Sequence, residues 1–333
     1  NHVLAPLALT MGVTTNLKKT VYITTIFLFI VISSFSQNDS IHSLVKKASA
    51  MNYSMSDLAD FAKQNVNGKR NLAKFFYYWI GSNIQYDDIT LQNVLNGDIS
   101  NEEFHKLQSI ENVFETRKGV CAGYAQLYKW FMDEMEIEVD VVTGYIRDER
   151  NHYVELELDD DSRHAWNVIK LNNKWIILDS TWGTSQDSSV SDFYFDMKPE
   201  IAIITHFPEQ EKWQLLEKPL TLNEFNNSKF IKPVWFHVGF TDIPSLKEDS
   251  EYYYFVYRSN PDKEWETLLM YSNENGNYKL ILNTTRINQD GFTYIRFNKT
   301  LVPKKAYYKM QLNRFNMEKG TSTAIFDVFY FKT

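Results

Sequence analysis

The sequence predicts an α+β domain followed by an all-β domain. Three observations predict it. Residues 71–82 and 121–135 place apolar side chains at helical spacing. Residues 139–145 and 164–182 read as strands, the second stretch folded at Asn172-Asn173. Beyond Pro233 the chain breaks into short aromatic and β-branched runs divided by Asn, Gly, Asp and Pro. With 333 residues, 44% of them hydrophobic, there is material for two cores. We expect residues 37–232 and 233–333 to form them, with no repeat or low-complexity segment.

The N-terminal stretch reads as an address. Met11 looks like a translation start, with residues 1–10 as upstream extension. Lys18 and Lys19 precede the apolar run Val21–Ile32, and Ser33, Ser34, Phe35 and Ser36 follow. That is a signal-peptide pattern over 1–36, with cleavage expected before Gln37. The run is shorter than the roughly 20 residues a membrane-crossing helix needs. The expectation is an exported protein, periplasmic or secreted, with no integral membrane segment after cleavage. Net charge is −7, and −9 once residues 1–36 with their two lysines are removed. That balance disfavours nucleic acid and anionic membrane as partners.

In chain order, residues 41–64 have helical spacing, and "NLAKFFYYWIGS" at 71–82 reads as an aromatic core helix. "NIQYDDI" and a polar connection lead to "SIENVFETRKGVC". The helix from Cys121 to Met135 presents Tyr124, Ala125, Leu127, Tyr128, Phe131, Met132 and Met135 on one face. "VDVVTGY" (139–145) and "YVELEL" (153–158) read as strands, and "HAWNVIKL", Asn172-Asn173 and "KWIILDSTW" as a hairpin.

Cys121 is the only cysteine. In an oxidising compartment a single thiol forms no intramolecular disulfide, so it is either buried or used. A lone cysteine is more often a small core residue than a reagent. This one, however, falls in the first turn of a helix, where free N–H groups and the macrodipole favour a thiolate. Gly119, two residues earlier, is expected to allow a substrate close to the sulfur. A nucleophile also needs a base and a group to orient it. With a two-residue turn at 172–173, His164 faces Thr181 and Trp166 faces Asp179. His164 and Asp179 then share a face as diagonal neighbours, about 7–8 Å apart at Cα. Taken singly, His164 is an ordinary histidine and Asp179 a strand-end turn residue; the combination with Cys121 is the signal.

"GVCAGYAQLYKWF", "VVTGY" and "RHAWNVIKLNNKWIILDSTWG" together resemble the transglutaminase-like superfamily of papain-fold cysteine enzymes. Within it they are similar to the branch named for the kyphoscoliosis peptidase and related cytokinesis proteins. "WIGSNIQYD" (79–87) and "HFPEQEKWQLLEKPLTLNEF" (206–225) also look like segments of that branch, so the resemblance covers roughly 75–232. It implies a papain-like transglutaminase core with Cys121 as nucleophile, His164 as base and Asp179 as the orienting carboxylate. The chemistry implied is acyl transfer through a thioester, with a protein or peptide as substrate. Water as acceptor gives peptidase or amidohydrolase activity, and a lysine amine gives crosslinking. Members that keep the fold without turnover make a binding scaffold a third outcome. The backbone N–H of Cys121 is one expected oxyanion donor, and the resemblance suggests the Tyr86 hydroxyl as another; a buried tyrosine under the helix is the plainer reading. Trp166 and Trp182 are expected either to wall the site or simply to fill the core.

Other chemistry is weakly supported. Asp159-Asp160-Asp161 lacks the alternating oxygen ligands of a calcium loop and reads as a solvated turn. One Cys and seven scattered His without H-E-x-x-H argue against zinc, and no phosphate-binding glycine loop occurs, so neither metal nor cofactor is expected. His152, His206 and His237 are treated as ordinary. "EYYYFVYR", "YKLILNT", "FTYIRF", "AYYKMQLNRF" and "AIFDVFYF" set the rhythm of an Ig-like β-sandwich. Its Tyr and Phe residues are expected to be core rather than a glycan or partner surface.

Overall fold

A computed structural model describes residues 41–148, 155–157, 163–184, 190–274, 276–316 and 318–332. The signal-like segment, His152 and the Asp159-Asp160-Asp161 run lie outside the described residues. So does most of the strand expected at 153–158, of which 155–157 are not in a strand. The chain divides into two compact units, residues 1–79 and 80–333.

In the first unit, residues 41–49 are helical (α1) and α2 spans Met55–Asn65. The continuous helical stretch expected over 41–64 is therefore broken. Ser54 starts α2 through a reciprocal capping box with Asp57, which satisfies N–H groups that an unbroken helix would not expose. α2 buries Leu58, Ala59, Phe61 and Ala62, and the Phe61 ring lies 6.1 Å from Phe75 of α3, which spans Lys69–Asn83.

In the second unit, β1 (Gln85–Tyr86) pairs in parallel with β2 (Lys118–Gly119), setting Tyr86 opposite Gly119. Three short helices lie between β1 and β2: α4 (Asp88–Leu95) and α5 (Asn101–Leu107) across the expected polar connection, and α6 (Ile110–Thr116) within "SIENVFETRKGVC". Each starts at a capping side chain, Asp87, Ser100 and Ser109 in turn. Periodicity could not reveal them, because they bury so little; α5 buries no residue at all. α7 (Cys121–Glu134) buries the predicted face and packs on β3 (Val139–Ile146) and β4 (Arg163–Leu171).

β4 returns as β5 (Lys174–Leu178) through Asn172 and Asn173, at φ of 51° and 62°. Both residues are left-handed, as a type I′ turn requires, and asparagine tolerates that conformation. Leu171 pairs with Lys174 and Asn167 with Leu178, the register that the two-residue turn imposes. After α8 (Ser180–Gly183) come β6 (Phe195–Met197), α9 (Pro199–Ala202) and β7 (His206–Pro208). The antiparallel sheet has the order β6-β5-β4-β3-β7.

Arg147, one residue past β3, is buried and fastens this sheet to the chain that follows. Its guanidinium donates to the carbonyls of Ile204, Phe225, Ser228 and Lys229 and to the Ser228 hydroxyl. Burial draws its pKa down to about 10, so it remains a cation at neutral pH. The acceptors surround α10 (Leu222–Asn226) and lead into β8 (Phe230–Ile231) and α11 (Val234–His237).

The C-terminal region is rich in antiparallel strands arranged in two sheets. After β9 (Ser245–Glu248) come β10 (Tyr252–Arg258), β11 (Trp265–Ser272), β12 (Lys279–Leu280) and β13 (Thr285–Gln289). β14 (Phe292–Asn298), β15 (Tyr307–Asn316) and β16 (Thr321–Lys332) complete the set. One sheet has the order β13-β14-β10-β9, the other β12-β11-β15-β16-β8. Residues 230–231, just before the expected boundary, join the second sheet by pairing with β16. The two share one core in which Trp235, Phe255, Tyr308, Phe329 and Phe331 are fully or nearly fully buried, so the Tyr and Phe runs supply carbon to an interior. The strand expected at 278–284 shrinks to two residues: Leu282 is exposed and Asn283 turns to a left-handed φ of 58°.

Candidate active site

Cys121 opens α7 and is half-buried. Its N-cap, Val120, offers no side-chain cap, so the first turn keeps N–H groups available beside the sulfur. The Val120 N–H is instead held by Gln108, whose Oε1 accepts it at 2.8 Å in a buried position. Burial opposes the thiolate. The hydrogen bond and positive charge of His164, and the backbone N–H of Ala165, outweigh it and bring the thiol below its ordinary pKa.

His164 lies on β4 and Asp179 at the end of β5. Both are buried, and His164 Nε2 stands 2.7 Å from Asp179 Oδ2, the shared face that the hairpin parity requires. With Nε2 engaged, Nδ1 is the ring nitrogen left for the Cys121 thiol. Burial disfavours the imidazolium, but the Asp179 carboxylate and the sulfur raise its pKa to about 10. Asp179 is held well below the ordinary carboxylate range, against burial, by His164 and then His206. It also caps α8: Oδ1 accepts from the N–H of Thr181 at 2.8 Å and of Trp182 at 3.0 Å. His164 thus joins the Asp179 carboxylate by a hydrogen bond and acts on the Cys121 thiol electrostatically.

His206 is a correction to the sequence reading. Far from ordinary, it is 2% exposed and its Nε2 lies 3.0 Å from the same Asp179 Oδ2. Its other nitrogen, Nδ1, is 2.8 Å from the Thr205 hydroxyl. The signal was faint: His206 heads one of the resembling segments but lies 27 residues beyond Asp179, and only the pairing of Ile146 with His206 brings it in. Gln108 was also missed, having no motif around it.

The two tryptophans flank the imidazoles. The Trp166 ring stacks on His164 at 6.1 Å and meets His206 edge-on at 5.0 Å; Trp182 lies 5.7 Å from His164 and 4.7 Å from His206. Gly144, paired with His164, makes room for Trp166. A Cβ there would collide with the Phe207 carbonyl and sit 2.6 Å from Trp166 Cη2. A Cβ on Gly119 would press on the Val113 methyls at 3.1 and 3.2 Å, so α6 packs closely against this residue. Tyr86 is 39% exposed and not the buried tyrosine of the plainer reading. Its phenol is kept protonated by the surrounding protein, then by Cys121, Asp88 and Asp179, which places it within electrostatic range of the thiol. His237, also read as ordinary, is exposed, with its ring against Phe193 and Tyr194.

His164, Asp179 and His206 are the one group of three among the described residues whose ligand atoms converge, all within 4.8 Å. The spacing suits protons better than a metal. Ligands at about 2.0–2.1 Å from a tetrahedral zinc stand well over 3 Å apart. Here nitrogen and oxygen are 2.7 and 3.0 Å apart, with both Nε2 atoms on one carboxylate oxygen. No helix among the described residues is long and apolar enough to cross a membrane.

Comparison with known proteins gives the same frame. The profile of the Transglutaminase-like superfamily matches residues 57–180. Kyphoscoliosis peptidase of Mus musculus is 28% identical over 213 residues, 62% of this chain and 30% of its own length. Cytokinesis protein 3 of Schizosaccharomyces pombe is 26% identical over 151 residues, 43% of this chain and 16% of its own. The chain therefore spans less than a third of these relatives. A solved TGase structure aligns over 46% of this chain and 33% of its own at 17% identity, with a TM-score of 0.29, too low to carry an argument. Residues 57–180, which hold Cys121, His164 and Asp179, are a transglutaminase-like superfamily domain.

Proposed function

We propose that the chain is a cysteine-dependent acyl-transfer enzyme that hydrolyses amide bonds of a protein or peptide. One observation carries it: a thiol at an uncapped helix start, lowered in pKa by an imidazole that is itself 2.7 Å from a buried carboxylate. In this reading the Cys121 thiolate attacks the amide carbonyl. The backbone N–H of Cys121 receives the developing oxyanion, with Tyr86 as second donor. His164 gives its Nδ1 proton to the departing amine, leaving a thioester. It then takes a proton from water, which releases the acid and restores the thiol. Asp179 keeps Nε2 protonated and stabilises the imidazolium. Similarity to a protein named a peptidase supports water as acceptor.

The test is competition. A glutamine-containing peptide is supplied with excess labelled primary amine, with and without calcium, and products and Cys121 adducts are read by mass. Cleavage or deamidation outpacing amine incorporation is expected. Dominant amine incorporation would make the chain a crosslinking enzyme. An unmodified Cys121 with neither product would make it a scaffold. We further propose export, supported by the segment before Gln37. A mature protein beginning near Gln37 is expected, and recovery of cytoplasmic protein beginning near Met11 would refute it.

A further inference from the structure

Asp179 receives four hydrogen bonds, one more orienting contact than a base-holding carboxylate requires. Two backbone N–H groups pin Oδ1, at 2.8 and 3.0 Å. A rotation that carried Oδ2 away from His164 would also draw Oδ1 off those two N–H groups. The fourth donor adds a restraint on the other oxygen: His206 Nε2 meets Oδ2 at 3.0 Å, beside the 2.7 Å bond from His164. The Asp179 carboxylate only accepts, so it requires the hydrogen on His206 Nε2; the Thr205 hydroxyl, 2.8 Å from Nδ1 and 3.5 Å from the Ala202 carbonyl, can then serve that other nitrogen as donor.

We infer that His206 is a positioning residue that holds the Asp179 carboxylate turned towards His164, and so helps set how readily Cys121 ionises. The inference rests on Cys121 being the proposed nucleophile. The titratable groups that meet His206 are Asp179, from the end of β5, and His164, from β4; Trp166 and Trp182 close other sides with aromatic carbon. Burial holds the His206 ring below its ordinary pKa, which suits a neutral donor. The segment that carries it is itself fixed, because the Arg147 backbone N–H donates to Thr205 O and its guanidinium to Ile204 O, each at 2.9 Å.

The experiment measures Cys121 alkylation by iodoacetamide against pH in the full chain, which needs no knowledge of the substrate. The wild type is expected to react well below the pH at which a free cysteine does. A wild-type profile matching an ordinary thiol defeats the nucleophile assignment itself, before any variant is made. With that profile in hand, His206→Phe keeps the volume and removes the donor. Its rate near pH 6 is expected to fall about tenfold, as a one-unit rise in thiol pKa gives, and to converge on wild type in alkali. His206→Gln, which can still donate from a similar position, is expected to stay within about threefold of wild type. A folded His206→Phe protein with the wild-type profile, or a His206→Gln protein no better than it, overturns the inference. Should His206→Phe not fold, Thr205→Val keeps the ring and removes the hydroxyl partner of its Nδ1. A lower rate near neutral pH with a displaced His206 Nε2–H resonance is then expected, and an unchanged rate and resonance overturn the inference.

Discussion

The two buried clusters of the second unit solve the problem of an interior in opposite ways. Around β4 and β5 the chain buries ionisable groups: His164, Asp179 and His206 are each at most 5% exposed, and every polar atom they offer is met by another. In the C-terminal sheets the interior is aromatic carbon, with Tyr308 stacked on Phe331 at 4.7 Å and Trp235 on Phe240 at 3.7 Å. Paired charges contribute little net stability but a definite chemical state; apolar burial contributes stability and no chemistry. The two regions should therefore fail differently: one loses reactivity while still folded, the other loses stability while still reactive.

The largest effect expected is from Cys121→Ala. Turnover should fall by on the order of 10³-fold or more, with little change in thermal midpoint. A comparable residual rate would show that the polar cluster acts without its thiol. Next, Asp179→Asn should lower turnover by on the order of 10³-fold, since an amide cannot hold the imidazolium or enforce the tautomer. Substrate binding by the unreacted protein should change far less. A loss confined to binding would break the comparison.

The third effect is on stability, in kilocalories. Phe255 lies between Phe329 and Phe331, at 5.2 and 5.6 Å, and is fully buried. Phe255→Ala should cost about 3–5 kcal/mol in a denaturant melt, through lost burial and the cavity left behind. Below the melt, Cys121 alkylation should be unaltered; an altered pH profile would show that the two clusters are coupled.

A fourth, smaller effect appears in the pH dependence of the melt. The folded pKa of His164, about 10, lies above its unfolded value of about 6.5. Its contribution to stability is thus fully present below about pH 6.5 and is lost as pH rises towards about 10. Asp179 has the opposite sign. Its folded pKa is depressed, so its contribution is present above the unfolded value near 4 and is lost on acidification. Melts from pH 5 to 10.5 should show the alkaline loss in wild type and lack it in His164→Gln. Equal slopes would mean that the imidazolium is not stabilised in the fold.

What was legible in the sequence followed from periodicity and parity. Helix α7 was visible because six buried side chains recur on one face. The His164–Asp179 pair was visible because Asn172-Asn173 fixes a two-residue turn and with it every later register. What stayed hidden lacked either device. Helices α4 to α6 bury too little for a stripe to appear and are started by single capping side chains. His206 reaches the site through a three-residue edge strand, whose pairing with β3 no local pattern announces. Gly119 was readable as special but not its tight packing, because the Val113 methyls that crowd it belong to a helix the sequence did not reveal.

The buried guanidinium of Arg147 bears on where this polypeptide can be cut. Its acceptors lie at Ile204, Phe225, Ser228 and Lys229, 57 to 82 residues downstream, so β3 is synthesised long before the groups that will receive its charge. A fragment that stopped just after Asp179 would hold every residue of the thiol–imidazole–carboxylate line. It would also leave a cation with its carbonyl acceptors missing, beside a sheet edge that β7 should cover. The smallest autonomous piece therefore extends at least through Lys229. The set of acceptors for the arginine begins at Ile204 and is complete only with Lys229, so the reactive half draws part of its own framework from the segment that follows it.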